Sequence, residues 1–483
     1  MYPPLGGGLR GRIFSADRAD LLIGNVVHFS MNSMSSTYTN RHLLLHLLTV
    51  SLMVHYGFTE HFSPWQMVAA TTASIVMLFR PTELFWPLLA VGMTLLDYLV
   101  VYPEMSNHAV IQFFICLGIV FLVVREQFTK RAFFTADRKS ALIRVTVFLI
   151  YFFSGFHKIN YGFLDADQSC VHTLNGYIVR VLAGEQASMP LWLTRSMQLA
   201  TFFLELLVPF GLLFARTCKA AVCFLFLLHG YLFMAGFAHF ASVSMVILPA
   251  CLLNYHTSDE AQKIRHRLKT YVWIATIASV LCMVVCNMGD QKFEGQLLSR
   301  WFFLCCGIYF IAFVYGVNLF RSVSPVSIPK KAYRHYSVIL PALLIFLWGM
   351  EPYYGLSNRA NMSMYSNMIT MAGRDNHLLI NTKYTKLISF EEDYVQVLEL
   401  SDPLRRFFGN DYRYYYYPAI TFRKRAADAL KKINEPVSVR LLYQGKEIVI
   451  DDLQQSLWSA SKWYDRYFYY RPTPKPGLGI CVW

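Results

Sequence analysis

Apolar stretches of membrane-spanning length recur along this chain from residue 41 to residue 352 and then stop. A helix needs roughly 17–25 residues to cross the hydrocarbon of a bilayer. Eleven candidates come near that length: 41–57, 65–80, 83–102, 107–124, 140–159, 190–215, 218–237, 240–255, 270–287, 301–320 and 336–352. Several are short, notably 65–80 and 240–255, and with two of them re-entrant or interfacial the count falls to nine. Such a chain can close its backbone hydrogen bonds inside lipid only as helices or as a barrel, and runs of this length mean helices. Composition agrees, with 55% apolar and 15% charged residues against a usual charged share of about 25%.

The charges between the stretches alternate. Arg10, Arg12, Arg18 and Arg41 precede the first; Arg80 follows the second; Arg125, Lys130, Arg131, Arg138 and Lys139 follow the fourth. Arg216 and Lys219 follow the sixth, Lys263, Arg265, Arg267 and Lys269 the eighth, and Arg321, Lys330, Lys331 and Arg334 the tenth. Connections of the other parity hold only Arg180, Lys292 and Arg300. By the positive-inside rule this predicts a cytoplasmic N-terminal segment over 1–40, a transmembrane helical bundle over 41–352, and an extracytoplasmic C-terminal domain over 353–483, in a lumen or periplasm. Either the endoplasmic reticulum or a bacterial inner membrane satisfies that placement. The net charge of +14 is accounted for mainly by these loops rather than by a nucleic-acid surface.

The pattern changes after residue 353. Tyr394–Leu400 (YVQVLEL) and Ser438–Ile450 (SVRLLYQGKEIVI) read as strands, the latter a hairpin turning at Gln444-Gly445, with helical character over Ala426–Ile433. A small α+β domain is expected. The aromatic and basic run Asp411–Tyr417 (DYRYYYY) with Arg423, Lys424 and Arg425 suits stacking on nucleic acid in principle, but an outer placement favours a surface against lipid head groups or the bundle. Asn361-Met-Ser is a glycosylation acceptor if the compartment is a eukaryotic lumen. Of ten cysteines, Cys170 and Cys481 fall clearly outside, where disulfides persist, and the two are expected to pair.

Ionisable groups inside spans are rare and mark function by default. Lys158 ends the fifth stretch at its outer end, and His108, after Asn107, opens the fourth at the same depth. Glu205 lies within the sixth and His229 within the seventh; His239 opens the eighth. Each has an ordinary reading: Lys158 snorkels, Glu205 and His229 pair between helices to fix packing, and His239 is interfacial. Lys158 and His108 at matching depth favour a functional pair, because a desolvated lysine loses charge readily and a neighbouring histidine stabilises a developing anion. No H-E-x-x-H metal spacing, phosphate-binding glycine loop or G-x-S-x-G elbow occurs.

At this point the motifs resemble those of the vitamin K-dependent γ-glutamyl carboxylases and the wider horizontally transferred transmembrane domain proteins. YFFSGFHKIN (Tyr151–Asn160) is similar to the family's Y-F-x-x-G-x-K-K signature, with Lys158 at the catalytic lysine and His157 where the second lysine stands. Asn107-His108 matches the family's Asn-His. LELLVPFGLLF (Leu204–Phe214), LLHGYLFMAGFAHFASVSMVILP (Leu227–Pro249) and YGLSNRANMSMYSNMITMAGRDNHLLI (Tyr354–Ile380) resemble later segments, Glu205 and His229 among them. The resemblance implies a lyase in which Lys158 deprotonates vitamin K hydroquinone and His108 stabilises the oxyanion. Oxygenation by O2 is then coupled to quinone epoxidation and to carboxylation of a peptide glutamate by CO2, without metal. Asn107, His157, Glu205, His229 and His239 would support the quinone or substrate pocket. The implied partners are an isoprenoid quinone, the bilayer and a secreted glutamate-containing polypeptide, and not nucleic acid. The C-terminal region is shorter than in the animal carboxylases, which puts the propeptide-gripping surface in doubt. Two other classes stay open: a quinone-dependent enzyme on another substrate, and a non-catalytic membrane maturation or interaction protein.

Overall fold

A computed structural model of the chain describes residues 43–53, 64–80, 84–101, 107–129, 135–184, 189–234, 238–253 and 325–476 with a few single positions besides, Cys481 among them, and without 364, 372, 466 and 469. The expected spans over 270–287 and 301–320 lie outside the described residues, as does the N-terminal segment.

Helices dominate the first part of the chain. We number them α1 (Leu43–Met53), α2 (Pro64–Phe79), α3 (Phe85–Val101), α4 (Asn107–Thr129), α5 (Ala136–Phe156), α6 (Cys170–Ala183), α7 (Leu191–Phe202), α8 (Ala215–Met234), α9 (Ala238–Leu252) and α10 (Tyr336–Tyr354). Among the described residues, three helical runs are long and apolar enough to cross a membrane: α5, the run Leu191–Leu213 that begins with α7, and α10. Shorter apolar stretches are Leu43–Met53, Val68–Met77, Phe85–Val100, Ala109–Val120 and Val243–Leu252. Large apolar side chains stand outward in rows, such as Leu96, Leu99 and Val100 on α3, Leu199, Phe203 and Leu207 after α7, and Ile339, Leu340, Leu343 and Leu344 on α10. A contiguous apolar exterior on this scale marks a membrane protein.

The helix α5 is the hub. It packs on α10, on α9 and on the turns that follow α7, and 44% of its apolar window is enclosed, against 17% for Leu191–Leu213. Thr135 starts it as an N-cap, accepting from Arg138 N at 3.4 Å. Gly349 of α10 lets the Phe153 ring press onto the helix backbone, since a Cβ there would fall 2.5 Å from ring carbons. Helix α10 then ends at Gly355, whose φ of 71° closes a left-handed cap. Helix α6 falls between expected spans; its polar face (His172, Thr173, Asn175) hides it from a search for continuous apolar runs.

The C-terminal part carries a five-stranded antiparallel sheet of order β4-β3-β1-β2-β5, formed by β1 (Tyr394–Leu400), β2 (Tyr415–Pro418), β3 (Val439–Tyr443), β4 (Lys446–Ile450) and β5 (Thr473–Pro474). The β3–β4 hairpin turns at Gln444-Gly445 with φ values of 49° and 75°, the left-handed pair that a two-residue hairpin requires. Helix α11 (Ala419–Leu430) covers one face and buries Phe422, Ala426 and Ala429 against Val395, Val397 and Leu441. The tyrosine run is not a docking surface throughout. Tyr417 belongs to this core, because alternation along β2 turns every second ring inward, and Tyr412 enters it from the 3₁₀ turn Asn410–Tyr414. The domain returns to the helices through Tyr470, whose hydroxyl donates to Gly355 O at 2.6 Å, and through Leu387 N, which donates to Tyr354 O at 2.9 Å.

Candidate functional site

Tyr151, Ser154 and Lys158 follow one another at intervals of three and four residues and so share one face of α5. That face borders a cleft shared with Glu205, His229 and a largely aliphatic wall. Lys158 stands just past the last turn, its side chain 3% exposed. Its ammonium donates to Glu205 Oε2 at 2.5 Å, to Ser154 O at 3.1 Å and to Ser154 Oγ at 3.3 Å. Ser154 Oγ itself donates to Glu205 Oε2 at 2.8 Å. Lys158 does not snorkel; it is enclosed and answered by a carboxylate.

Glu205 reaches this position through an irregular helix. After Phe202 the chain widens into a π turn over Phe203–Leu207, with Val208 N donating to Phe203 O, and then tightens into a 3₁₀ turn over Val208–Leu213. Pro209 supplies the cause: it has no N–H to return to the carbonyl four residues earlier, which is that of Glu205. A π turn rotates the residues it contains relative to a regular helix. Gly155 admits the turn: a Cβ on it would lie 2.8 Å from Leu206 N and 2.9 Å from the carbonyl carbon of Glu205. Backbone therefore meets backbone between the two helices beside the lysine.

A second polar station faces the same cleft. Tyr151 OH and His229 Nε2 are 2.6 Å apart and both side chains are buried. Tyr231 donates to Asn175 of α6, and both groups also border the space. The remaining wall is largely aliphatic, with Ile111, Leu174, Leu228, Val243 and Ile247. Among the described residues of the lining, charge is confined to the Lys158–Glu205 pair, in a setting where the ammonium and the carboxylate act strongly on each other.

The segment after α10 forms a roof over the end of α5. Asn107, at the start of α4, accepts from Met362 N at 2.8 Å. His157 Nδ1 meets Tyr353 OH at 2.8 Å and Nε2 meets Asn361 O at 3.2 Å. Asn160 donates to Ser366 O and accepts from Phe163 N. His377 Nε2 donates to Phe156 O at 3.1 Å, while its Nδ1 accepts from Leu379 N and Ile380 N. Burial lowers the His377 pKa below the ordinary imidazole value, against the hydrogen bond to Phe156. Ala360, Met362, Tyr365 and Asn367 all have positive φ, from 49° to 66°. Such strain in non-glycine residues gathers at functional sites, and Met362 and Tyr365 line the cleft. Asn367 Oδ1 accepts from Cys170 N at 2.7 Å, and Cys170 forms the expected disulfide with Cys481. Asn361 is fully buried, its amide donating to Ser357 O at 2.7 Å, so the folded chain offers no glycan acceptor there.

The geometry redistributes the residues singled out by sequence. Lys158 and Glu205 meet each other and His229 meets Tyr151, so the ordinary reading of polar groups tying helices together takes the form of these two pairs. Asn107 holds the roof. His157 turns toward Tyr353 and is not part of the cleft lining. His108 and His239 lie on α4 and α9, but their side chains are outside the described residues. Ser154, Tyr151 and Met362 emerge from the structure as residues of the site. The spacing of Tyr151 and Ser154 from Lys158 on one helix face was the available signal for the first two. Comparison with family models, with curated proteins and with solved structures gives no match.

Proposed function

We propose that this chain is an integral membrane enzyme of the vitamin K-dependent carboxylase type, with Lys158 the base that deprotonates a quinol held in the cleft. The bundle would be polytopic, with nine to eleven spans, a cytoplasmic N-terminus and the cleft opening near the luminal or periplasmic face. The observation that carries the reading is a lysine enclosed in an aliphatic cleft and hydrogen-bonded to a buried carboxylate and a serine hydroxyl. An apolar lining with a few polar groups fits a bicyclic isoprenoid quinol.

When bound and oxygenated by O2, the hydroquinone supplies the strong base that removes a γ-proton from a glutamate side chain before CO2 adds, and it leaves as the epoxide. The chain's own part is to orient, to exclude water and to move a proton. Proton transfer across the 2.5 Å contact puts the hydrogen on Glu205 and leaves Lys158 a neutral amine, the form that accepts a proton from a hydroxyl. Ser154 steadies both partners. His108, by resemblance, would meet the oxyanion. A secreted glutamate-containing polypeptide is the substrate that an outward-facing site would take, and another carbon acid would be served by the same base.

The test is turnover of purified protein with reduced vitamin K, O2 and ¹⁴CO2. Epoxide formed by the wild type and lost in Lys158→Ala supports the reading, and label on a glutamate peptide identifies carboxylation. The closed Lys158–Glu205 contact also favours a second reading, in which the pair staples α5 to the helix after α7 in a non-catalytic maturation protein. No epoxide from the wild type, together with aggregation of Lys158→Ala, would select it.

A further inference from the structure

We propose that the cleft holds a ring ligand by two opposed oxygens, Lys158 and Ser154 taking one and the Tyr151–His229 pair the other. The proposal rests on the quinol reading and adds a second anchor, which the base chemistry of Lys158 does not itself require.

Placement comes first. Tyr151 and Ser154 stand one turn apart on the same helix face, and the Lys158 ammonium folds back to Ser154 O and Oγ. Both stations border the same cleft, and its aliphatic wall suits the faces of a fused ring.

The chemistry of the second station is the stronger argument. With the tyrosine hydroxyl donating to His229 Nε2 across 2.6 Å, the Tyr151 oxygen can accept from a ligand hydroxyl. With the imidazole in its other tautomer, Nε2 donates to the Tyr151 oxygen and the phenol proton turns to the ligand, where it can bond a carbonyl. The pair therefore matches both a diol and the dione made by removing two electrons and two protons from it. A lone donor or a lone acceptor would favour one of the two. The ligand class singled out is a para-quinol/quinone couple.

The alternative is that Tyr151–His229 only ties α5 to α8. Binding by the full-length detergent-solubilised chain separates the two, measured anaerobically by quenching of tryptophan fluorescence with 1,4-dihydroxynaphthalene and with 1-naphthol, which lacks the second oxygen. The wild type should bind the diol about tenfold tighter, the scale of one buried hydrogen bond. Tyr151→Phe and His229→Gln should each erase most of that ratio while leaving affinity for 1-naphthol and the melting temperature near wild type. A packing tie predicts the reverse, a lower melting temperature with the ratio intact. Equal affinities in the wild type, or an unchanged ratio in Tyr151→Phe, overturn the two-ended fit alone. A wild type that binds neither compound overturns the quinol reading with it.

Discussion

Gly155 lies directly against Leu206: a Cβ added to the glycine would sit 2.8 Å from the Leu206 nitrogen. The contact sets how deeply the π turn seats beside α5, and therefore where the Glu205 carboxylate ends relative to Lys158. Gly155→Ala must push backbone from backbone, since no flexible side chain is present to yield. We expect a loss of about 1–3 kcal/mol, as for other overpacked sites, with turnover reduced more than ligand affinity. Melting curves and a kcat-against-KM comparison check it.

Removing one member of the Lys158–Glu205 pair leaves the other charge enclosed without its partner. Glu205→Leu should therefore cost about 3–5 kcal/mol, whereas the double change Lys158→Met with Glu205→Leu should recover most of the stability. Equal destabilisation by the single and double variants in detergent melts would refute the pairing. Activity behaves differently: neither variant should turn over.

His377 gives the roof a dependence on pH. Its folded pKa is lowered by burial, so below the ordinary imidazole value of about 6.5 the unfolded chain binds a proton that the folded chain does not. Stability should be full above that value and fall as pH decreases through it. Protonation would also remove the acceptor at Nδ1 that Leu379 and Ile380 use. Melting temperatures from pH 8 to pH 5 should decline for the wild type and decline less for His377→Asn, which starts lower.

The Cys170–Cys481 disulfide joins the first turn of α6 to the end of the chain. Proteolysis without reductant should release the two cysteines in one cross-linked peptide. Cys481→Ser should lower the melting temperature by the equivalent of about 2–4 kcal/mol. Two separate free thiols in the peptide map would be the contrary result.

Much of the helical layout was legible because lipid demands long apolar runs: α5, α10 and Leu191–Leu213 fall within a few residues of the expected spans. Strands β1, β3 and β4 were equally plain from alternation and from Gln444-Gly445. Lys158 stood out because a lysine at the end of such a run is costly. Its partner did not stand out. A regular helical period projects Glu205 elsewhere, and only the π turn caused by Pro209 and accommodated by Gly155 brings it round. Burial of Tyr412 and Tyr417 was hidden because a run of tyrosines looks alike whether it faces water or a core. The roof was hidden for a different reason, since its hydrogen bonds join residues far apart in sequence, and no local pattern records them.

That distance has a consequence for how the protein is made. Asn361 accepts from a histidine 204 positions before it, and Met362 donates to an asparagine 255 positions before it. On the ribosome, α4 and α5 are made long before the residues that cover them exist. Until residue 377 has emerged, the end of α5 that carries Lys158 lacks its cover. The half-made cleft is thus open and charge-bearing, and it closes only when synthesis is more than three-quarters done.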